Sequence, residues 1–125
     1  MYSIHYSPET RILEMKLEGR WSEEDFEKFE KAYVEALRAH SLGGKSIAVL
    51  SDSRDFHVQT QEVADRFAKL GSGSGAKVMA SAIVVASLLN KMQAERIVHS
   101  KKLGVFLDIK EAKAWLADAL KDVAA

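Results

Sequence analysis

Asp52, Arg54 and Asp55 stand close together in the chain and are followed by His57. Two carboxylates flanking a guanidinium could bind a cation or an amine-bearing partner, and an imidazole beside them could move a proton. Such groups more often act as internal salt bridges and turn caps that fix a loop. Acid–base catalysis would also need a substrate cleft, and nothing in the sequence identifies one. The four histidines, His5, His40, His57 and His99, fall on separate stretches with no His-x-x-x-His spacing. A zinc site needs at least three protein ligands, so the exposed-imidazole reading of His57 outweighs the metal reading. Cysteine is absent, which removes thiolate nucleophiles and disulfides. Ser51, Ser53 and Ser87 lack the Gly-x-Ser-x-Gly elbow. The Gly71-Ser72-Gly73-Ser74-Gly75 run has no Lys-Ser/Thr ending and precedes a strand pattern, so its N–H groups would miss the helix dipole that a phosphate loop exploits. The expectation is a chain that is not an enzyme and has no metal site and no cofactor.

Charge points to partners in a limited way. Lys91, Arg96, His99, Lys101 and Lys102 concentrate positive charge, with Glu95 the only acid between Lys91 and Lys102. Such a basic patch meets an anionic lipid or an acidic partner at about 1 kcal/mol per residue. It is equally what a solvated helix end looks like. Lysine plus arginine equal aspartate plus glutamate at 18 each, which removes the basic excess of a dedicated nucleic-acid binder. Trp21 and Trp115 have no basic residues interleaved with them and read as packing residues. The opening MYSIHYSPETR lacks the basic flank and apolar core of a signal peptide, so cytoplasmic residence is the default. The apolar stretch Val78–Leu89 is interrupted by Ser81 and Ser87 and falls short of the ~20 residues that cross a bilayer.

The elements that must position these residues follow from periodicity. Tyr2, Ile4 and Tyr6 alternate with polar residues, as do Leu13, Met15 and Leu17, and Ser7-Pro8-Glu9-Thr10 between them predicts a type I turn in an antiparallel hairpin. Ser22 before Glu23, Glu24 and Asp25 has capping-box spacing, and Phe26, Phe29, Tyr33 and Leu37 then recur at helical intervals up to His40. Ile47–Leu50 is a continuous apolar run, the mark of a central parallel strand covered on both faces, and Asp52–Asp55 should lie just beyond its end. Thr60 is placed to cap a helix carrying Val63, Phe67 and Leu70; Val78–Ala86 is a second buried strand, parallel to the first. Ser87 caps a helix with Leu88, Leu89, Met92 and Ile97, Val105–Leu107 forms a last short strand, and Asp108 opens a C-terminal helix with Ala112, Trp115, Leu116 and Leu120. The order β-β-α-β-α-β-α-β-α predicts a single α/β domain over residues 1–125, with a mostly parallel sheet and helices packed on it.

This order, with Gly19-Arg20-Trp21-Ser22, the Asp52-Ser53-Arg54-Asp55-Phe56 corner, Gln59, Glu62-Val63 and Gln93-Ala94-Glu95-Arg96, resembles the STAS domains of bacterial anti-sigma-factor antagonists, in their SpoIIAA-like branch. The resemblance implies a non-enzymatic regulatory module that binds a protein partner. It also implies that the strand exit and helix start, comprising Asp52, Arg54, Asp55, His57, Gln59, Thr60 and Glu62, form the contact surface. In the antagonists an Asp-Ser pair opens the corresponding helix, and its serine is the phosphorylation switch. Here that stretch is Gln59-Thr60-Gln61-Glu62, which leaves Thr60 as the candidate phosphoacceptor. The related CRAL-TRIO-like fold implies the alternative of a carrier for a small apolar ligand or lipid. A homodimer also stays open.

Overall fold

The computed structural model describes residues 1–40, 46–56, 60–63, 65–66, 78–97 and 102–121, the side chains of 93, 94, 96 and 97 excepted. Strands β1 (Tyr2–Ser7) and β2 (Ile12–Gly19) pair antiparallel from Tyr2↔Leu17 to Ser7↔Ile12. The residue that closes their turn is Arg11, whose N–H donates to the Ser7 carbonyl at 2.8 Å. Its φ of 60° is a left-handed value that a branched side chain seldom adopts. Tertiary bonds hold it there. The Arg11 guanidinium donates to the Leu120 carbonyl at 3.2 Å, and the Arg11 carbonyl accepts the Ala48 N–H at 3.0 Å.

Strands β3 (Ile47–Phe56), β4 (Val78–Val84) and β5 (Leu103–Phe106) continue the sheet in parallel, in the order β1-β2-β3-β4-β5. Helix α1 (Glu23–His40) follows β2, α2 (Leu88–Ile97) follows β4, and α3 (Ile109–Lys121) follows β5; residues 61–63 and 65–66 are helical. The α/β architecture and the parallel β3–β4 pairing are those the sequence predicts. Four caps also form as read: Ser22 Oγ accepts the Asp25 N–H at 3.1 Å while Asp25 Oδ2 accepts the Ser22 N–H at 2.9 Å, Thr60 Oγ1 accepts from Val63, Ser87 Oγ from Asn90, and Asp108 Oδ1 from Lys110.

Alternation along β3 sends Ile47 and Val49 to one face and Ala48 and Leu50 to the other, and all four are buried. On the first face they join Leu13, Met15 and Leu17 of β2, Trp21, Phe26, Phe29 and Leu37 of α1, and Val63. On the second they join Ala80, Ala82 and Val84 of β4 and Ala112, Leu116 and Leu120 of α3. One sheet thus separates two cores.

Three boundaries differ from the periodic reading. β3 runs on through Phe56, because β2 keeps pairing with it as far as Gly19↔Phe56; the charged corner is strand and not a loop beyond one. β4 stops at Val84, and β5 comprises Leu103–Phe106 with Leu107 outside it and exposed. Leu88, Leu89 and Met92, read as an apolar face of their helix, are exposed. Phe67, Leu70 and the Gly71–Gly75 run lie outside the described residues. Among the described residues no helix is long and apolar enough to cross a membrane.

Tyr33 stacks on Phe29 with ring centroids 5.7 Å apart. Burial disfavours its phenolate and pushes its pKa up to about 12. Its neutral form therefore contributes stability that is whole below the unfolded value of 10.0 and is lost as pH rises through about 12. Thermal unfolding followed across that range should show a smaller alkaline loss in Tyr33→Phe than in the parent. Identical slopes would remove Tyr33 as the cause.

Candidate functional site

β3 leaves the core at Leu50 and carries its polar half out along β2 and β4, with Asp52 opposite Lys16 on one side and Val84 on the other. Residues two apart on a strand share a face. Asp52 and Arg54 use that spacing: the Arg54 Nε and Nη2 each donate to the Asp52 carboxylate at 2.8 Å, and the Arg54 N–H adds a third bond at 3.3 Å. These bonds hold the Asp52 carboxyl below the ordinary carboxylate range. The stabilisation they give is present above that range and is lost as pH falls through the lowered value. Asp55 pairs instead with Lys16, Nζ to Oδ2 at 3.9 Å. A register shift between Lys16 and Glu18 accompanies this change of partner.

Below the charges lies an aromatic footing. Gly19, at φ 80°, turns the chain out of β2, and the Trp21 indole N–H donates to the Glu18 carbonyl at 2.9 Å. Trp21 then packs edge-on against Phe56, the last residue of β3, at 5.1 Å. Beyond the corner, Thr60 is exposed and caps the helical residues 61–66. Arg66 fastens that segment to α1 through Glu27 at 3.4 Å and Glu30 at 3.8 Å, with its guanidinium over the Phe26 ring at 5.0 Å.

The structure therefore brings together Asp52, Arg54 and Asp55, with Thr60 and Glu62 exposed on the helix start that follows; His57 and Gln59 lie outside the described residues. Sequence reasoning missed Lys16 and Arg66. Lys16 becomes a neighbour only through the β2–β3 register, and Arg66 only through the packing of its helix on α1. The basic residues do not make one surface. Lys91 lies in the first turns of α2, which leaves the carboxyl end of β4, whereas the Lys102 carbonyl accepts the Ser81 N–H at the opposite end of β5. Lys101, His99 and the Arg96 side chain are outside the described residues. His5 is exposed and His40 stacks on Tyr6 at 4.1 Å. An open groove of about 580 Å³ lies away from this corner, between the hairpin turn and α3, where Lys113 bridges to Glu14 at 3.3 Å.

The model of the SpoIIAA-like family matches residues 12–117. In structure the chain is similar to an uncharacterized protein of the DUF3478 family with a SpoIIAA-like fold from Shewanella loihica PV-4. The two share 22% sequence identity at a TM-score of 0.70, over 93% of this chain and 92% of that one. No curated protein matches the chain.

Proposed function

Because the chain belongs to the SpoIIAA-like family, we propose that it is a regulatory module that acts by binding a protein partner, as anti-sigma-factor antagonists do, and has no catalysis of its own. The observation that carries this reading is the Asp52–Arg54 pair. It is a charged feature with fixed geometry on a strand, at the exposed end of the sheet, next to a capped helix start. Its donors and acceptors are spent largely on each other, which suits recognition by shape and charge more than proton transfer. The Trp21–Phe56 contact and the Arg66 bridges make the surface rigid, so little ordering entropy is lost when a partner docks.

Partner capture from the source cell tests it. Arg54→Glu should reduce capture at least tenfold, whereas Lys121→Glu, on exposed α3, should leave it unchanged. Thr60 is assayed in the same series. Thr60→Ala should cost about 1 kcal/mol through loss of the cap. If Thr60 is a phosphorylated switch, Thr60→Glu abolishes capture while Thr60→Ala keeps it; equal capture by both leaves Thr60 as a cap. Capture indifferent to Arg54→Glu would move the partner surface elsewhere.

A further inference from the structure

The Ser87 cap fixes where α2 begins, and so commits Leu88 and Leu89 to its first turn with Met92 one turn after Leu88. Their relative exposures are 62%, 64% and 48%, and Leu107 is 44% exposed. Leu107 belongs to the same end of the sheet, since Val84 pairs with Phe106 and the Val85 N–H donates to the Phe106 carbonyl at 2.9 Å. Together these four side chains show roughly 400 Å² of apolar surface, well inside the range of patches that on a monomer are often functional. One side of a standard interface covers ~800 Å², a little over half of it apolar, so the patch is about the size of one interface centre.

The rim indicates the occupant. Lys91 and Glu95 border the leucines on α2, and Asp108 follows Leu107, within electrostatic reach of Arg54. A single-sign rim would fit an oppositely charged partner, but this one alternates in sign and belongs to a chain of zero net charge. Such a rim complements itself when two copies are related by a twofold axis. With two α2 helices antiparallel, Leu88 of one copy meets Met92 of the other, and Lys91 approaches Asp108 of the other. We propose that this patch is a dimer interface and that a second copy of this chain covers it. The inference stands apart from the partner reading, because it concerns α2 and the end of β5 and is read out without any partner.

The full chain provides the test. Sedimentation at about 100 μM should give twice the chain mass, falling to one on dilution through a micromolar dissociation constant. Leu89→Glu should weaken dimerisation at least tenfold while leaving the circular dichroism and the melting temperature unchanged, as expected for an exposed position. Because the chain has no cysteine, Met92→Cys supplies a single thiol. A short bismaleimide should couple it into dimers, whereas Lys121→Cys on α3 should remain uncoupled. A monomer at every concentration, a dimer that survives Leu89→Glu, or absence of Met92→Cys coupling each overturns the proposal. So does binding of the parent chain, abolished by Leu89→Glu, to phosphatidylglycerol vesicles, which would make the patch a lipid contact.

Discussion

Replacing Phe29 by alanine is expected to cost about 3–5 kcal/mol, a large part of the ~5–15 kcal/mol that holds a domain of this size together. Phe29 is 1% exposed, and its ring lies 5.1 Å from Trp21, 5.5 Å from Tyr2, 6.0 Å from Phe26 and 5.7 Å from Tyr33. Truncation removes the ring on which the others converge and leaves a cavity that rigid aromatic neighbours cannot close. Edge-to-face and stacked pairs add about 0.5–1.5 kcal/mol each beyond area burial. Urea unfolding should therefore show a sharply lowered midpoint at an unchanged slope. Val34→Ala, on the same helix but exposed, should shift the midpoint little. A loss at Phe29 no greater than that at Val34 would mean that this core does not hold α1 to the sheet.

The second large effect belongs to the other face. Leu116 is fully buried in the cluster that joins α3 to Ala80, Ala82 and Val84. Small residues on β4 bring the helix close, so the leucine fills the space they leave. Leu116→Ala should cost about 2–5 kcal/mol. Its cost should also add to that of a milder change in the first core, Phe29→Leu, to within about 0.5 kcal/mol, because the sheet stands between the two sites and they share no partner. Coupling larger than about 1 kcal/mol would show that the two cores communicate through β3.

How much of this was legible in the sequence varies with the range of the interaction that decides it. The caps at Ser22, Thr60, Ser87 and Asp108 are local hydrogen bonds between residues two or three apart, and residue type nearly determines them. The parallel pairing of Ile47–Leu50 with Val78–Val84 was legible because burial on both faces leaves a continuous apolar run. The course of β3 past Leu50 was not. Ser51–Asp55 has the composition of a loop, and only the parallel register with β2 keeps it extended. The exposure of Leu88, Leu89 and Met92 escaped for the complementary reason: an apolar pattern states what would favour burial, and tertiary placement decides which residues obtain it. At the candidate site Asp52, Arg54 and Asp55 were found by type and spacing, but their distribution between two ion pairs depends on Lys16, more than thirty residues earlier.

The monotonic strand order has a consequence for the shape of any binding surface. In doubly wound α/β sheets a crevice opens at the topological switch point, where strand order reverses and neighbouring crossovers depart to opposite faces. From β2 to β5 each parallel step here moves in the same direction. Right-handed crossovers that keep to one direction lay their helices side by side on one face, as α1 and the segment containing Val63 do. Neighbouring crossovers therefore do not part to leave a cleft at the carboxyl ends of these strands. What the topology presents there is a shallow terrace of strand ends and helix caps, a relief suited to another macromolecule's surface more than to engulfing a small metabolite.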